Sequence, residues 1–208
     1  MSSYAQLTVA ELLDAFASSV PVPGGGSASA LAGAIGASLL IMVAGLPKTR
    51  LGTPEERAAL DAAAARLKPL RDELAVLVDR DSDAYTSVMN AYRLPKSSDE
   101  DKAARKTAIE AAMRAATEAP LATMRACHQV MREAPSILEH GAPSAASDAA
   151  VAIELLSAAA RGASLNVETN IADMKDGEYV GRVSQERRDL EQAIGALLPR
   201  GRRDRSRE

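Results

Sequence analysis

Aromatic residues are nearly missing from this sequence: it has no Trp, one Phe and four Tyr, 2% of the chain. The 47% of residues that are hydrophobic are therefore mainly Ala, Leu, Val, Ile and Met. Alanine is the best helix former, whereas strands draw on β-branched and aromatic side chains. The composition thus predicts an all-helical protein with close-packed backbones. The same shortage leaves few rings on which nucleic-acid bases could stack. A single cysteine, Cys127, excludes an intramolecular disulfide and fits a reducing compartment, so the expected location is cytoplasmic. The two histidines, His128 and His140, belong to no HxxxH or ExxH pattern. Cys127 adjoins His128, but adjacent helical positions point about 100° apart, so no metal site is expected. No Ser/His/Asp relay is recognisable. A net charge of -3 suggests neither nucleic acid nor an anionic membrane surface as a partner. The opening MSSYAQLTVAELLDAF lacks a basic segment followed by an apolar run, so no secretory signal is expected.

What the sequence does have is one long uncharged run. In VPVPGGGSASALAGAIGASLLIMVAGLPKTR, residues 20–50, no charge occurs between Ala28 and Leu46. The run is long enough to span a bilayer. Ala, Gly and Ser fill more than half of it, however, and no second segment is seen to join it, so no membrane is expected. A helix apolar on all sides is wrapped by other helices, and Ser29, Gly33, Gly36 and Ala37 would let those neighbours approach closely.

The remaining punctuation is helical. Thr8 with Glu11 has capping-box spacing and opens a helix over 8–18. A second helix is expected over 27–46, ended by Pro47. Thr53-Pro54-Glu55-Glu56 starts a third, to about 92, with a kink or break near Pro69. Ser98 with Asp101 opens a fourth, bent at Pro120 and ending near 139. Ser147 is expected to cap a fifth, to about 172, and a last helix follows KDGEY to about 198. The fold class expected is all-α: one domain, 1–198, of five to seven helices around a buried Ala/Gly-rich helix. The arginine-rich end, 199–208, is expected to be a solvated tail.

Local rules fail where function is expected. Leu74, Val78, Asp81, Tyr85, Val88 and Tyr92 alternate by four and three, one helix face interrupted by a carboxylate. Asp81 there needs a partner, a ligand or a raised pKa. It is either an interhelical cap or a site carboxylate; Asp79 and Asp83 point elsewhere and are expected to be solvated. Asn166, Asn170 and Asp173 share another face, either tying KDGEY to the bundle or offering donors and acceptors to a planar heterocycle. Asp148 lies on that stripe but five turns, about 27 Å, earlier, too far to share a site with Asn166 within one chain. It suits the helix dipole as a first-turn acid. GGGS ahead of a helix offers backbone N–H groups to an anion or carbonyl, but it matches neither GxxxxGK[ST] nor GxGxxG. Lys48 and Arg50 after the second helix, and Arg93 and Lys96 after the third, sit at loop edges where they could hold a carboxylate or phosphate.

FASSVPVPGGGSASALAGAIGASLLIMVAGL, DSDAYTSVMNAYRLPK and SDAAVAIELLSAAARGASLNVETNIADMKD together resemble the cyclodeaminase/cyclohydrolase family. This is the all-helical family of formiminotetrahydrofolate cyclodeaminases and stand-alone methenyltetrahydrofolate cyclohydrolases. Its motifs fall on Pro23 to Ser27, Asp81, Tyr85, Lys96, Asp148, Asn166 and Asn170. Where many members carry LTxGKKK, this chain has GLPKTRLG, with Lys48 and Arg50. The resemblance implies hydrolysis of 5,10-methenyltetrahydrofolate to 10-formyltetrahydrofolate. The alternatives are ammonia release from 5-formiminotetrahydrofolate, or a folate-binding or structural bundle without turnover. No transferase domain is seen, which favours the hydrolase. In that reading Asp81 takes the water proton and Lys48 orients the water or donates to the tetrahedral oxygen. Asn166 and Asn170 bind the pterin edge. The backbone of Gly24, Gly25, Gly26 and Ser27 receives a carbonyl or carboxylate of the tail, whose glutamate meets Arg50 or Lys96. A homodimer and no cofactor beyond the folate substrate are implied.

Overall fold

The computed structural model describes residues 3–198, and the arginine-rich segment 199–208 lies outside the described residues. Six α-helices follow one another: α1 (Val9–Ala17), α2 (Gly25–Gly45), α3 (Pro54–Arg93), α4 (Asp99–His140), α5 (Ala146–Ile171) and α6 (Gly177–Leu197). Among the described residues there is no strand, only an isolated bridge between Thr49 and Gly141. The capping box predicted at Thr8/Glu11 forms, and the helix starts expected at Thr53 and Ser98 are capping boxes too, with Glu56 and Asp101. Ser147 is not a cap. A 3-10 turn, Pro143–Ala145, leads into α5 one residue earlier, and its N-cap Ala145 makes no side-chain bond.

α3 runs unbroken through Pro69, as α4 does through Pro120 and Pro135. An internal proline costs a helix roughly 3 kcal/mol. Around Pro69 the fully buried Leu60, Leu67 and Leu74 hold both halves of α3 to the same core; of the kink or break expected there, the break does not occur. Asp79 is not solvated either. It accepts from Ser3 Oγ at 2.5 Å and Tyr4 N at 2.6 Å, fixing an N-terminal 3-10 turn on α3.

α2 lies between α3 and α5, antiparallel to both, with α4 behind it. Its small residues set the spacing. A Cβ on Gly36 would come 2.8 Å from Leu156 Cγ and 2.9 Å from the Ala152 carbonyl of α5. One on Gly33 would come 3.0 Å from Cys127 Sγ and 3.1 Å from Leu74 Cδ2. Gly36→Ala is therefore expected to destabilise by about 1–3 kcal/mol, lowering the thermal midpoint by roughly 2–4 °C per kcal/mol. An unchanged midpoint in a thermal scan would show that α2 and α5 are not held at this distance.

α2 is not wrapped on every side. Ala28, Ile35 and Met42 are exposed, because α3, α4 and α5 cover only part of its circumference. Both Gly25–Gly45 and segment 143–171 are long and apolar enough to cross a membrane, with mean hydropathy 1.9 and 1.2, where the sequence reading foresaw one such segment. Half of each is buried against other helices of the chain. A smaller apolar cluster, including Leu121, Val167, Tyr179 and Val183, docks α6 onto α4 and α5.

Candidate functional site

The site begins with how α2 is capped. Gly24, its N-cap, has no side chain to offer the free N–H groups of the first turn. α3 supplies the cap instead: Ser27 N donates to Asp81 Oδ2 at 2.9 Å. At the other end, Arg57 of α3 donates to the Leu46 carbonyl at 2.7 Å and to the Ala44 carbonyl. α3 thus sets an acid at the positive end of the α2 dipole and a cation at the negative end.

Ser27 locks the acidic end. Its hydroxyl donates to the Val78 carbonyl at 2.8 Å and lies 3.0 Å from Ser82 Oγ and 3.3 Å from Asp81 Oδ2. Gly26 is obligatory there, because a Cβ at that position would overlap the Asp81 carboxyl group. Asp81 is half-buried. Burial pushes its pKa above the ordinary carboxylate range, and the Ser27 hydrogen bonds pull against that shift without cancelling it. Among the described residues, no cation pairs with Asp81 and no donor reaches Oδ1, so this oxygen is open to a substrate or water.

A cavity of about 300 Å³ is walled by Gly24, Gly25, Gly26, Asp81, Tyr85, Asn166 and Asn170, with Val88 and, from α4, Met113 and Ala116. The stripe that alternates along α3 runs from core to cavity: Leu74 and Val78 are buried, Asp81 is half-buried, and Tyr85 is 39% exposed. Asn166 Nδ2 donates to the Gly162 carbonyl one turn back, at 2.8 Å. Asn170 Nδ2 donates to the Ala116 carbonyl, also at 2.8 Å. That carbonyl would be bonded by the N–H of residue 120, but Pro120 has none. Asn170 therefore repairs the gap Pro120 leaves, and both amide oxygens remain as acceptors. Asn170→Ala is expected to cost about 1–3 kcal/mol by orphaning that carbonyl. Adding Pro120→Ala restores the N–H and should recover most of the loss in urea unfolding; no recovery would refute the repair.

Met113 also borders a second, larger cavity, of about 690 Å³, lined by Tyr92, Lys96, Lys102, Arg105, Lys106, Arg114 and Lys175. Its carboxylates are Glu110, Asp173 and Asp176, so cations outnumber acids two to one. Asp176 pairs with Arg114 and caps α6, and Lys102 pairs with Asp99 at 2.8 Å. Lys96 is exposed at the rim. The two cavities adjoin: a small one with a single acid and amide groups, and a basic one large enough for an anionic tail.

The other residues singled out in the sequence lie elsewhere. Lys48, Arg50 and Asp148 gather at the far end of α2, about 30 Å from Asp81 along a helix of this length. Arg50 donates to the Glu139 and Leu138 carbonyls at 2.6 and 2.8 Å, capping the C-terminus of α4. Lys48 is exposed and Asp148 half-buried. Among the described residues, no group of three or more His, Cys, Asp or Glu side chains is placed to hold a metal. Cys127 is fully buried, its thiol pushed up to about 12. Met113, Ala116 and the basic residues of α4 escaped the sequence reading. The only signal for them was Pro120, which marks a free carbonyl four residues back.

A family model described as formiminotransferase-cyclodeaminase matches residues 8–189. The chain is 38% identical over 193 residues to a methenyltetrahydrofolate cyclohydrolase of Methylorubrum extorquens, covering 93% of each chain. It is 32% identical over 163 residues to a formimidoyltransferase-cyclodeaminase of Gallus gallus, 78% of this chain but 30% of that longer protein. The fold matches the crystal structure of a formiminotetrahydrofolate cyclodeaminase from Thermotoga maritima, with a TM-score of 0.82, 24% identity and 92% of each chain covered.

Proposed function

Because the chain belongs to the formiminotransferase-cyclodeaminase family, we propose that it hydrolyses 5,10-methenyltetrahydrofolate to 10-formyltetrahydrofolate. The observation that carries this reading is the Asp81 carboxylate: half-buried, without a cation beside it, on the wall of a cavity sized for a ring system. The bridging carbon of the substrate is a cationic amidinium, and an unpaired carboxylate is its natural counter-ion. The similarity to a methenyltetrahydrofolate cyclohydrolase along 93% of both chains supports the same choice.

Water adds to the bridging carbon, and Asp81 takes the proton released, leaving a neutral tetrahedral adduct. The protonated carboxyl then delivers that proton to N5 as the C–N5 bond breaks. The hydroxyl of the adduct loses its proton to solvent and becomes the formyl oxygen on N10. The step needs only substrate and water, with no cofactor. Asn166 and Asn170 offer their amide oxygens to the N–H groups of the pterin. The p-aminobenzoyl-glutamate tail passes Met113 into the basic cavity, where Lys96 and its neighbours meet the carboxylates. In this reading the protein is cytoplasmic, in keeping with a lone, buried Cys127, and a homodimer.

A base works only when deprotonated. Since burial raises the Asp81 pKa, kcat/KM should climb with pH through a value above the ordinary carboxylate range and then level. A profile flat across the acid range would exclude a carboxylate base. The match to cyclodeaminases keeps a second reaction in view, ammonia release from 5-formiminotetrahydrofolate. One assay with both substrates separates them. Loss of methenyl absorbance is the expected outcome; ammonia from the formimino substrate supports the second reading; binding without either leaves a non-catalytic bundle.

A further inference from the structure

Two buried hydroxyls stand behind Asp81, and neither lines the cavity that Asp81 faces. Ser27 is fully buried and Ser82 only 4% exposed. Their protons can be placed by counting partners. Ser82 Oγ lies 3.0 Å from Ser27 Oγ, which is its one side-chain hydrogen-bond partner among the described residues. If Ser27 donated to Ser82, the Ser82 proton would point at nothing inside the core, and an unmet buried donor is costly. Ser82 therefore donates to Ser27.

That leaves the Ser27 proton a choice of two acceptors: the Val78 carbonyl at 2.8 Å and Asp81 Oδ2 at 3.3 Å. A serine hydroxyl rotates to suit its surroundings. An ionised carboxylate is the stronger acceptor; once Asp81 is protonated, the carbonyl is. Oδ2 also accepts the Ser27 N–H at 2.9 Å, so it is held on the protein side, while no donor among the described residues reaches Oδ1.

We propose that Ser27 and Ser82 position the base: Ser82 donates to Ser27 Oγ, the Ser27 hydroxyl swings between Asp81 Oδ2 and the Val78 carbonyl as the carboxyl loses and gains its proton, and the proton taken from water is thereby held on Oδ1, the oxygen facing the cavity. Both side chains act through Asp81. The part of this inference that concerns turnover rests on Asp81 as the proton acceptor; the hydroxyl switch itself does not.

Little else near Asp81 titrates. α2 contains no charged residue, α4 presents Met113 and Ala116 to the cavity, α5 presents Asn166 and Asn170, and α3 adds Tyr85. Along α3, Arg80 and Asp83 are exposed, and Asp79 is engaged by Ser3 and Tyr4. A change in the titration of Asp81 on removing either serine hydroxyl is therefore read directly from the switch.

The test uses the full-length chain without substrate, labelled with 13C at the aspartate carboxyl groups. The Asp81 signal is identified by its loss in Asp81→Asn and followed by NMR as pH is varied in Ser27→Ala, Ser82→Ala and the double variant. Ser82→Ala is expected to fold, since alanine is the better helix former and Ser27 keeps both acceptors. Removing a donor to the charged form moves the Asp81 midpoint upward. The rise should be larger in Ser27→Ala and smaller in Ser82→Ala, which only weakens the Ser27 donation. The double variant should titrate like Ser27→Ala, because Ser82 acts through Ser27. An unmoved midpoint in either single variant, or a Ser82→Ala effect that adds to that of Ser27→Ala, would overturn the switch. In the methenyl assay, kcat/KM of Ser27→Ala should fall by about tenfold on the acid side, where a base with a raised pKa is less ionised, and that of Ser82→Ala by up to about twofold. NMR midpoints that move as expected while the hydrolysis profile does not follow them would keep the switch and remove Asp81 as the base.

Discussion

Asp81→Asn is expected to lower kcat for methenyltetrahydrofolate hydrolysis by about two decades or more with the fold intact. The substitution is nearly isosteric, and its carbonyl oxygen can still accept the Ser27 N–H that caps α2. What it removes is the proton acceptor and the negative charge facing the amidinium. The loss of an anion at the helix N-terminus costs only about 0.3–1 kcal/mol, and it is offset because a carboxylate no longer has to be desolvated. Far-ultraviolet circular dichroism and the urea midpoint should therefore stay near wild type while turnover collapses. Turnover within a few-fold of wild type would take Asp81 out of the mechanism.

Gly26→Ala is expected to come close to the same loss by a different route. The added methyl would occupy the space of the Asp81 carboxyl group, and neither side can easily yield. The first turn of α2 is pinned by Ser27 to Val78 at 2.8 Å, and Asp81 sits on a continuous helix whose neighbours Val78 and Ser82 are buried. The carboxylate must rotate away, breaking the cap. Overpacking of this kind costs about 1–3 kcal/mol, and the displaced base should drop turnover by well over tenfold. Gly25→Ala is the matched control. A Cβ there would meet only the Asn166 amide, at 3.6 and 4.0 Å, an ordinary contact, so its effect on stability should be small. If the two variants behave alike, general strain in the glycine turn explains the loss, and the approach of Gly26 to Asp81 does not.

Three of the helix starts could be read from the chain because a capping box is a local, reciprocal pattern, complete within four residues at Thr8, Thr53 and Ser98. The start of α5 could not, because Ala145 and Ala146 carry no side-chain signal and a 3-10 turn shifts the boundary. Pro69 looked like a kink or break because a proline is read locally, whereas the leucines that keep α3 whole act through long-range packing. Asp81 stood out in the sequence because it interrupts a period that is otherwise apolar. Asp79, two residues away, gave no such contrast, and its partners Ser3 and Tyr4 are 75 or more positions distant.

The pairing of cavity walls was harder to foresee. Asn166 and Asn170 were identifiable as a polar face, but the link from Asn170 to the carbonyl freed by Pro120 needs the register of α5 on α4. The basic cavity was hidden for the same reason: its cations are spread over the α3–α4 loop, α4 and the α5–α6 turn, and look like ordinary surface charge until the helices are packed. Lys48 and Asp81 each stood out as single residues, and the length of α2 between them could be read directly.

The most direct test is a crystal structure with 10-formyltetrahydrofolate bound. The formyl carbon should lie within one bridging water of Asp81, with the pterin against Asn166 and Asn170 and the glutamate tail among the cations around Lys96. A folate ring seated outside this cavity, with the Asp81 carboxylate turned to bulk solvent, would contradict the assignment of the site.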